Sequence, residues 1–291
     1  MLAVNSHDSS LPHAGATRSH LARFTALVFG YWVLQYALVP LHALAGLPAE
    51  LFDPPGLSGW FPRAWELALV RPETLWAVRL GGAATAAAAM GGLGGTRVAA
   101  AACCCLTLHE SVVRGFSHVN HAGVLMIVCA WVLAAHRALD PRRLRPDAPL
   151  AACAFVLLLS YTLVGAHRLS HGGPAMFTGP SMEIWMAQFA ADPSYYGFGL
   201  GRWAADVPFA TALLPVGFFA VTLLEVAALL AFTSRPFRRA FAALMIGFHV
   251  GTLCLMNILF LENLLLLPTL LLDRPGPAAG GEPAAATAEP G

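Results

Sequence analysis

A succession of apolar runs, each about the length needed to cross a bilayer, constrains this chain more than any other feature. They fall near residues 23–45, 73–95, 97–114, 120–139, 149–170, 207–232, 237–257 and 258–273. A spanning helix needs about 20 predominantly apolar residues. In lipid the backbone must satisfy its own hydrogen bonds, so a segment of this kind is helical. Only 11% of the 291 residues are charged, against about a quarter in soluble domains. The expectation is an all-α, polytopic integral membrane helical bundle. The last run is short and contains Pro268, so the expected number of spans is seven or eight.

The ends of the chain differ from its middle. Residues 1–20 are polar and are expected to form a disordered cytoplasmic segment; residues 21–273 form the membrane domain. Residues 274–291, rich in Pro, Ala, Gly and Glu, cannot bury enough apolar area to fold and form a disordered tail. The first apolar run is too long for a cleaved signal and reads as a retained anchor. A net charge of +1, with no Gly-rich phosphate loop or DNA-binding motif, gives no basis for a nucleic-acid partner. The six cysteines lie in apolar runs without metal or disulfide spacing, and read as small buried hydrophobes.

Every basic residue is an arginine: the chain contains 17 and no lysine. Arg137, Arg142, Arg143 and Arg145 share one loop, and Arg235, Arg238 and Arg239 another. The positive-inside rule puts both loops in the cytoplasm, together with Arg18, Arg23, Arg97 and Arg274. Both termini are then cytoplasmic, as expected of a bacterial inner-membrane protein, and the loops 46–72 and 171–206 lie outside. In the second of these, Ser181 can cap an amphipathic interfacial helix. Met182, Trp185, Met186 and Phe189 share one face of it, and Asp192-Pro193 ends it. Such a helix either lies on the bilayer or covers a pocket beneath it.

In this topology the ionisable residues of the spans gather toward the outer end. They include His42, Arg79, His109, Glu110, Asn120, His121, His167, Arg168, His249 and Asn257; Glu225 alone falls toward the inner side. Singly, each has a structural explanation: Arg79 can snorkel, and Glu110 can pair with Arg114 at i, i+4. Together they suggest a polar pocket, because a charge at mid-bilayer costs roughly 2.5–3.5 kcal/mol on insertion scales. His118/His121 and His167/His171 have spacings that suit a metal. The doubled histidines and carboxylates of membrane oxygenases are missing, however, and no metal site is assigned. Acid/base work on a lipophilic substrate is the other chemistry. Imidazoles exchange protons near neutral pH, whereas a guanidinium stays charged and holds an anionic or carbonyl oxygen.

These same residues resemble the membrane domain of the vitamin K-dependent gamma-carboxylase-like family, also called the HTTM (horizontally transferred transmembrane) domain. In the carboxylase a span ends Gly-x-Lys-Lys-Leu and leads to Gly-Tyr-Ser-Met-Glu. The corresponding residues here are Gly165-Ala166-His167-Arg168-Leu169 and Gly179-Pro180-Ser181-Met182-Glu183. Asn120-His121, Phe248-His249 and Gly94-Gly95-Thr96-Arg97 follow the family's order, and the similarity covers about residues 20–273. The resemblance implies a pocket for a quinone-like or other lipophilic ligand. Proton-handling and orienting roles fall to His121, His167, Arg168 and His249, and ligand contacts to Asn120, Tyr161 and Trp185. It does not imply carboxylation, because the family's catalytic lysine is replaced by Arg168. No counterpart of the carboxylase's lumenal domain is expected after residue 273. A non-catalytic scaffold for transport or assembly is the alternative, with a histidine-metal oxygenase behind it.

Overall fold

A computed structural model of the protein describes residues 12–53, 67–116, 123–140, 142, 144–173, 175–178, 184–185, 187–188 and 200–272. Within them the chain is all-helical. The principal helices are α1 (Pro12–Leu38), α2 (Pro72–Met90), α3 (Gly95–Phe116), α4 (Val124–Leu139) and α5 (Asp147–His167). They are followed by α6 (Pro208–Val226), α7 (Arg235–Met256) and α8 (Leu261–Leu267). A π-helical turn, Arg168–Gly172, prolongs α5, and another, Pro268–Leu272, prolongs α8; a 3-10 segment, Ala228–Phe232, continues α6. Five helices are long and apolar enough to cross a membrane: Thr17–Leu38, Gly95–Phe116, Asp147–Gly172, Pro208–Val226 and Arg235–Met256. Val124–Leu139 and Leu261–Leu272 are apolar but shorter.

Local chemistry sets the helix ends. Pro40 cannot continue α1 and disfavours helix at the residue before it, so α1 stops at Leu38 rather than running on to residue 45. Pro72 opens α2 with Glu73 in its first turn, where the missing N–H costs nothing and the carboxylate meets the positive helix end. The Phe237 N–H donates to Ser234 Oγ, capping α7, which ends in a left-handed Asn257 at φ 54°. At the start of the chain, α1 takes in residues 12–20, part of the segment expected to be disordered.

Successive helices pack against one another from α1 to α6, and α8 with its π turn packs on α7 and returns to α5. Phe24, Trp32, Leu106, Met126, Leu157, Phe241 and Leu266 fill the core. Ala86, Ala89, Ala99 and Ala102 are fully buried at helix contacts. Lipid tails are as apolar as these side chains, so helix association rests on such close contact rather than on removal from water. Cys103, Cys129 and Cys153 belong to this core, but Cys104 is exposed on α3: the three successive positions 103–105 of a helix cannot all face inward.

A cavity of about 290 Å³ fixes the relative direction of the helices. Arg18 of α1, Gly92 after α2, Ala99 of α3, Arg137 of α4 and Pro146 before α5 all line it. The arginine-bearing segments of this half therefore share one end of the bundle. The start of α2, the end of α3, the start of α4 and the end of α5 lie at the other.

Candidate functional site

Polar residues concentrate at that second end. Tyr161, Gly165 and Arg168 recur at i, i+4 and i+7 on α5 and its π turn, one face of a helix. Opposite Gly165 runs α6. A Cβ on Gly165 would lie 2.8 Å from the Val226 nitrogen and 2.9 Å from the Glu225 Cβ, so the bare glycine is what lets the two helices touch here. Contact at this level brings the Arg168 guanidinium onto the Glu225 carboxylate. Glu225 is 2% exposed and Arg168 24%. The expectation that Glu225 lies toward the opposite end is corrected. Regular α-helix stops at Val226 rather than residue 232, and the carboxylate faces the Arg168 end of α5.

Two more helices complete the cluster. Tyr161 Oη and His249 Nε2 of α7 share a 2.6 Å hydrogen bond, with both residues buried. His249 Nδ1 is buried with no hydrogen-bond partner among the described residues. One side of the imidazole is thus fixed by Tyr161. Phe248 and Phe260 flank the same ring at 5.3 and 5.1 Å between centroids.

An aromatic layer lies against Arg168. Its guanidinium carbon sits 5.1 Å from the centre of the Phe218 ring, close enough for a cation–π attraction. Phe218 in turn contacts Phe177 and Trp185, at 5.7 and 6.2 Å. Trp185 is therefore linked to Arg168 through Phe218. Of the expected amphipathic helix, 184–185 and 187–188 are helical; Ser181, Met182, Met186 and Phe189 lie outside the described residues.

Beside this group stands a second acidic cluster. Glu262, in the first turn of α8, accepts a hydrogen bond from the Gly123 N–H at the head of α4. Gly123 adopts φ +85°, which favours glycine, and a Cβ there would lie 3.0 Å from a Glu110 oxygen. Glu110 also accepts from Arg114 Nε at 3.0 Å, the expected i, i+4 pair. Three carboxylates, on α3, α6 and α8, therefore approach the end of the bundle opposite the arginine-bearing one. Each has a hydrogen-bond donor, as buried charges require.

The sequence-derived site residues divide accordingly. Tyr161, Arg168 and His249 come together, with Trp185 attached through Phe218. His167 does not join them. It is exposed and stacks on His171 at 4.2 Å, because it lies on the opposite face of α5 from Gly165. Asn120, His121 and His118 lie outside the described residues, which resume at Gly123. Arg79 and His42 form a separate structural group: Arg79 donates to the Tyr36 and Ala37 carbonyls and to His42 Nδ1, at 2.9, 3.2 and 2.8 Å. Among the described residues no three His, Cys, Asp or Glu side chains converge as metal ligands.

Sequence reasoning missed Glu225 as a partner and Glu262 altogether. The pairing of Glu225 was hidden by its depth assignment, although the Tyr161–Gly165–Arg168 periodicity marks the face it meets. Glu262 stands within the apolar run LENLLLL, where an isolated carboxylate is itself a signal. No protein-family model, curated protein or solved structure matches this chain.

Proposed function

We propose that the protein is an HTTM-type integral membrane protein whose polar chamber binds a quinone-like or other lipophilic ligand, without the carboxylation chemistry of the family it resembles. The observation that carries this reading is that the Tyr161–His249 hydrogen bond and the Arg168–Glu225 ion pair share one face of α5 inside the bundle. Packing alone gives no reason to bury such groups. A quinone suits them: His249 Nδ1, which has no partner among the described residues, can hydrogen-bond a ring oxygen, while Phe248, Phe260 and Phe218 offer faces for a flat ring. Bound there, a quinone would supply redox chemistry, and Tyr161 would hold the imidazole in one orientation. Counting α2, α4 and α8 with the five longer helices gives the seven or eight spans of this reading, with the arginine-bearing end in the cytoplasm.

Titrating the purified full-length protein with menadione, followed by tryptophan fluorescence, tests this. Saturable quenching is expected, weakened at least about tenfold in His249→Gln, equivalent to 1.4 kcal/mol. Absence of saturable quenching, or equal affinity in the variant, rejects the ligand. One observation favours the non-catalytic reading: Glu225 already occupies the Arg168 guanidinium. Arg168→Lys restores the family's residue. Gained oxidation of reduced naphthoquinone would support a latent catalytic chamber, and no gain the scaffold.

A further inference from the structure

The cavity at the arginine-bearing end is unlike the polar chamber and separate from it. It is formed where α1, α3, α4 and the entrance to α5 meet the turn after α2. Its floor is apolar, with Leu21, Phe29 and Leu133 buried in the core. Its rim is cationic: Arg18 and Arg137 line it together with the imidazole of His136. The turn after α2 reaches Arg137: a Cβ on Gly92 would lie 3.6 Å from Arg137 Nη2, in ordinary contact. The His136 Nε2 has no hydrogen-bond partner among the described residues and stands 3.7 Å from Asp140 Oδ2. The Asp140 oxygens accept from the Leu144 and Arg145 backbone N–H groups, which hold this acid in its own loop.

We infer that this cavity binds the phosphate headgroup of an anionic phospholipid, with Arg18 and Arg137 on the phosphate and the first acyl methylenes on the apolar floor. Two guanidiniums match phosphate oxygens in geometry as well as charge. At about 290 Å³ the space lies at the small end of ligand pockets, about 300–1,000 Å³, and suits a headgroup rather than a whole lipid. A cationic rim over an apolar floor fits an amphiphile better than a free anion, which would leave the floor unfilled. Exposed Arg23, Arg97, Arg142 and Arg145 belong to the same end but do not line the cavity. Basic pockets between spanning helices on the cytoplasmic side are where anionic headgroups collect.

The test uses the full-length protein in nanodiscs of phosphatidylcholine with phosphatidylglycerol, followed by mild detergent extraction and native mass spectrometry. Phosphatidylglycerol is expected to stay bound in at least about tenfold preference to phosphatidylcholine. That preference should fall to near unity in Arg18→Gln/Arg137→Gln and survive in Arg142→Gln/Arg145→Gln. Arg18→Gln alone, at an exposed position on α1, should reduce it even if the double variant misfolds. Equal retention of the two lipids, or loss in the surface variant to the same degree, overturns the inference. A parallel arm titrates inorganic phosphate against the lipid-stripped protein. Thermal stabilisation by phosphate equal to that by phosphatidylglycerol would assign the site to a free anion and overturn the lipid.

Discussion

Arg79 and Arg168 lie toward the same end of the bundle, one at the start of α2 and the other beyond α5, but they are satisfied in different ways. Arg79 is held by two main-chain carbonyls and an imidazole, and it closes the end of α1, where carbonyls lack helical partners. Its electrostatics are those of a cation at a helix C-terminus, a favourable place for it. Arg168 instead faces a nearly buried carboxylate and an aromatic ring, next to a Tyr–His pair. The first arrangement stabilises one fixed geometry. The second is an ion pair whose desolvation can cost as much as its attraction returns, which stability alone does not require.

Substitutions separate the two. Glu225→Leu should be the most damaging, by about 3–5 kcal/mol, because it strands the guanidinium. The readout is thermal unfolding in detergent. Adding Arg168→Leu should recover most of that loss, since an apolar pair of similar volume is often as stable as a buried ion pair. A double variant no better than Glu225→Leu would break the contrast. Arg79→Leu should cost about 1.5–3 kcal/mol through lost charged hydrogen bonds, and leave menadione affinity unchanged. Altered affinity would move Arg79 into the chamber. Tyr161→Phe should cost about 0.5–1.5 kcal/mol while weakening ligand affinity, the reverse pattern to Arg79. His167→Ala, at the exposed face, should stay within about ±0.5 kcal/mol and bind as the wild type does. A larger loss would mean that the His167–His171 stack contributes more than its exposure suggests.

The helices were legible because lipid-facing segments declare themselves through length and apolarity. Each expected run has a helix within a few residues of it, and the early stop at Leu38 could have been read from Pro40. The site was legible only in part. Tyr161, Arg168 and His249 are residue types that stand out against an apolar background. Which face they share depends on helical phase, and phase also separates Arg168 from its neighbour His167. Glu225 required knowing where α6 leaves regular geometry and that a glycine lies opposite. Glu262 was harder still, because its described partner is a backbone N–H and residue types carry no record of that.

The hydrogen bond from Gly123 to Glu262 joins residues 139 positions apart. The donor at the head of α4 therefore waits for the last helix before it is satisfied. A chain without α8 would lack the Glu262 acceptor for that donor. A truncation before residue 262 should accordingly be recognised by membrane quality control as an incomplete protein, even with the longer spans already in place.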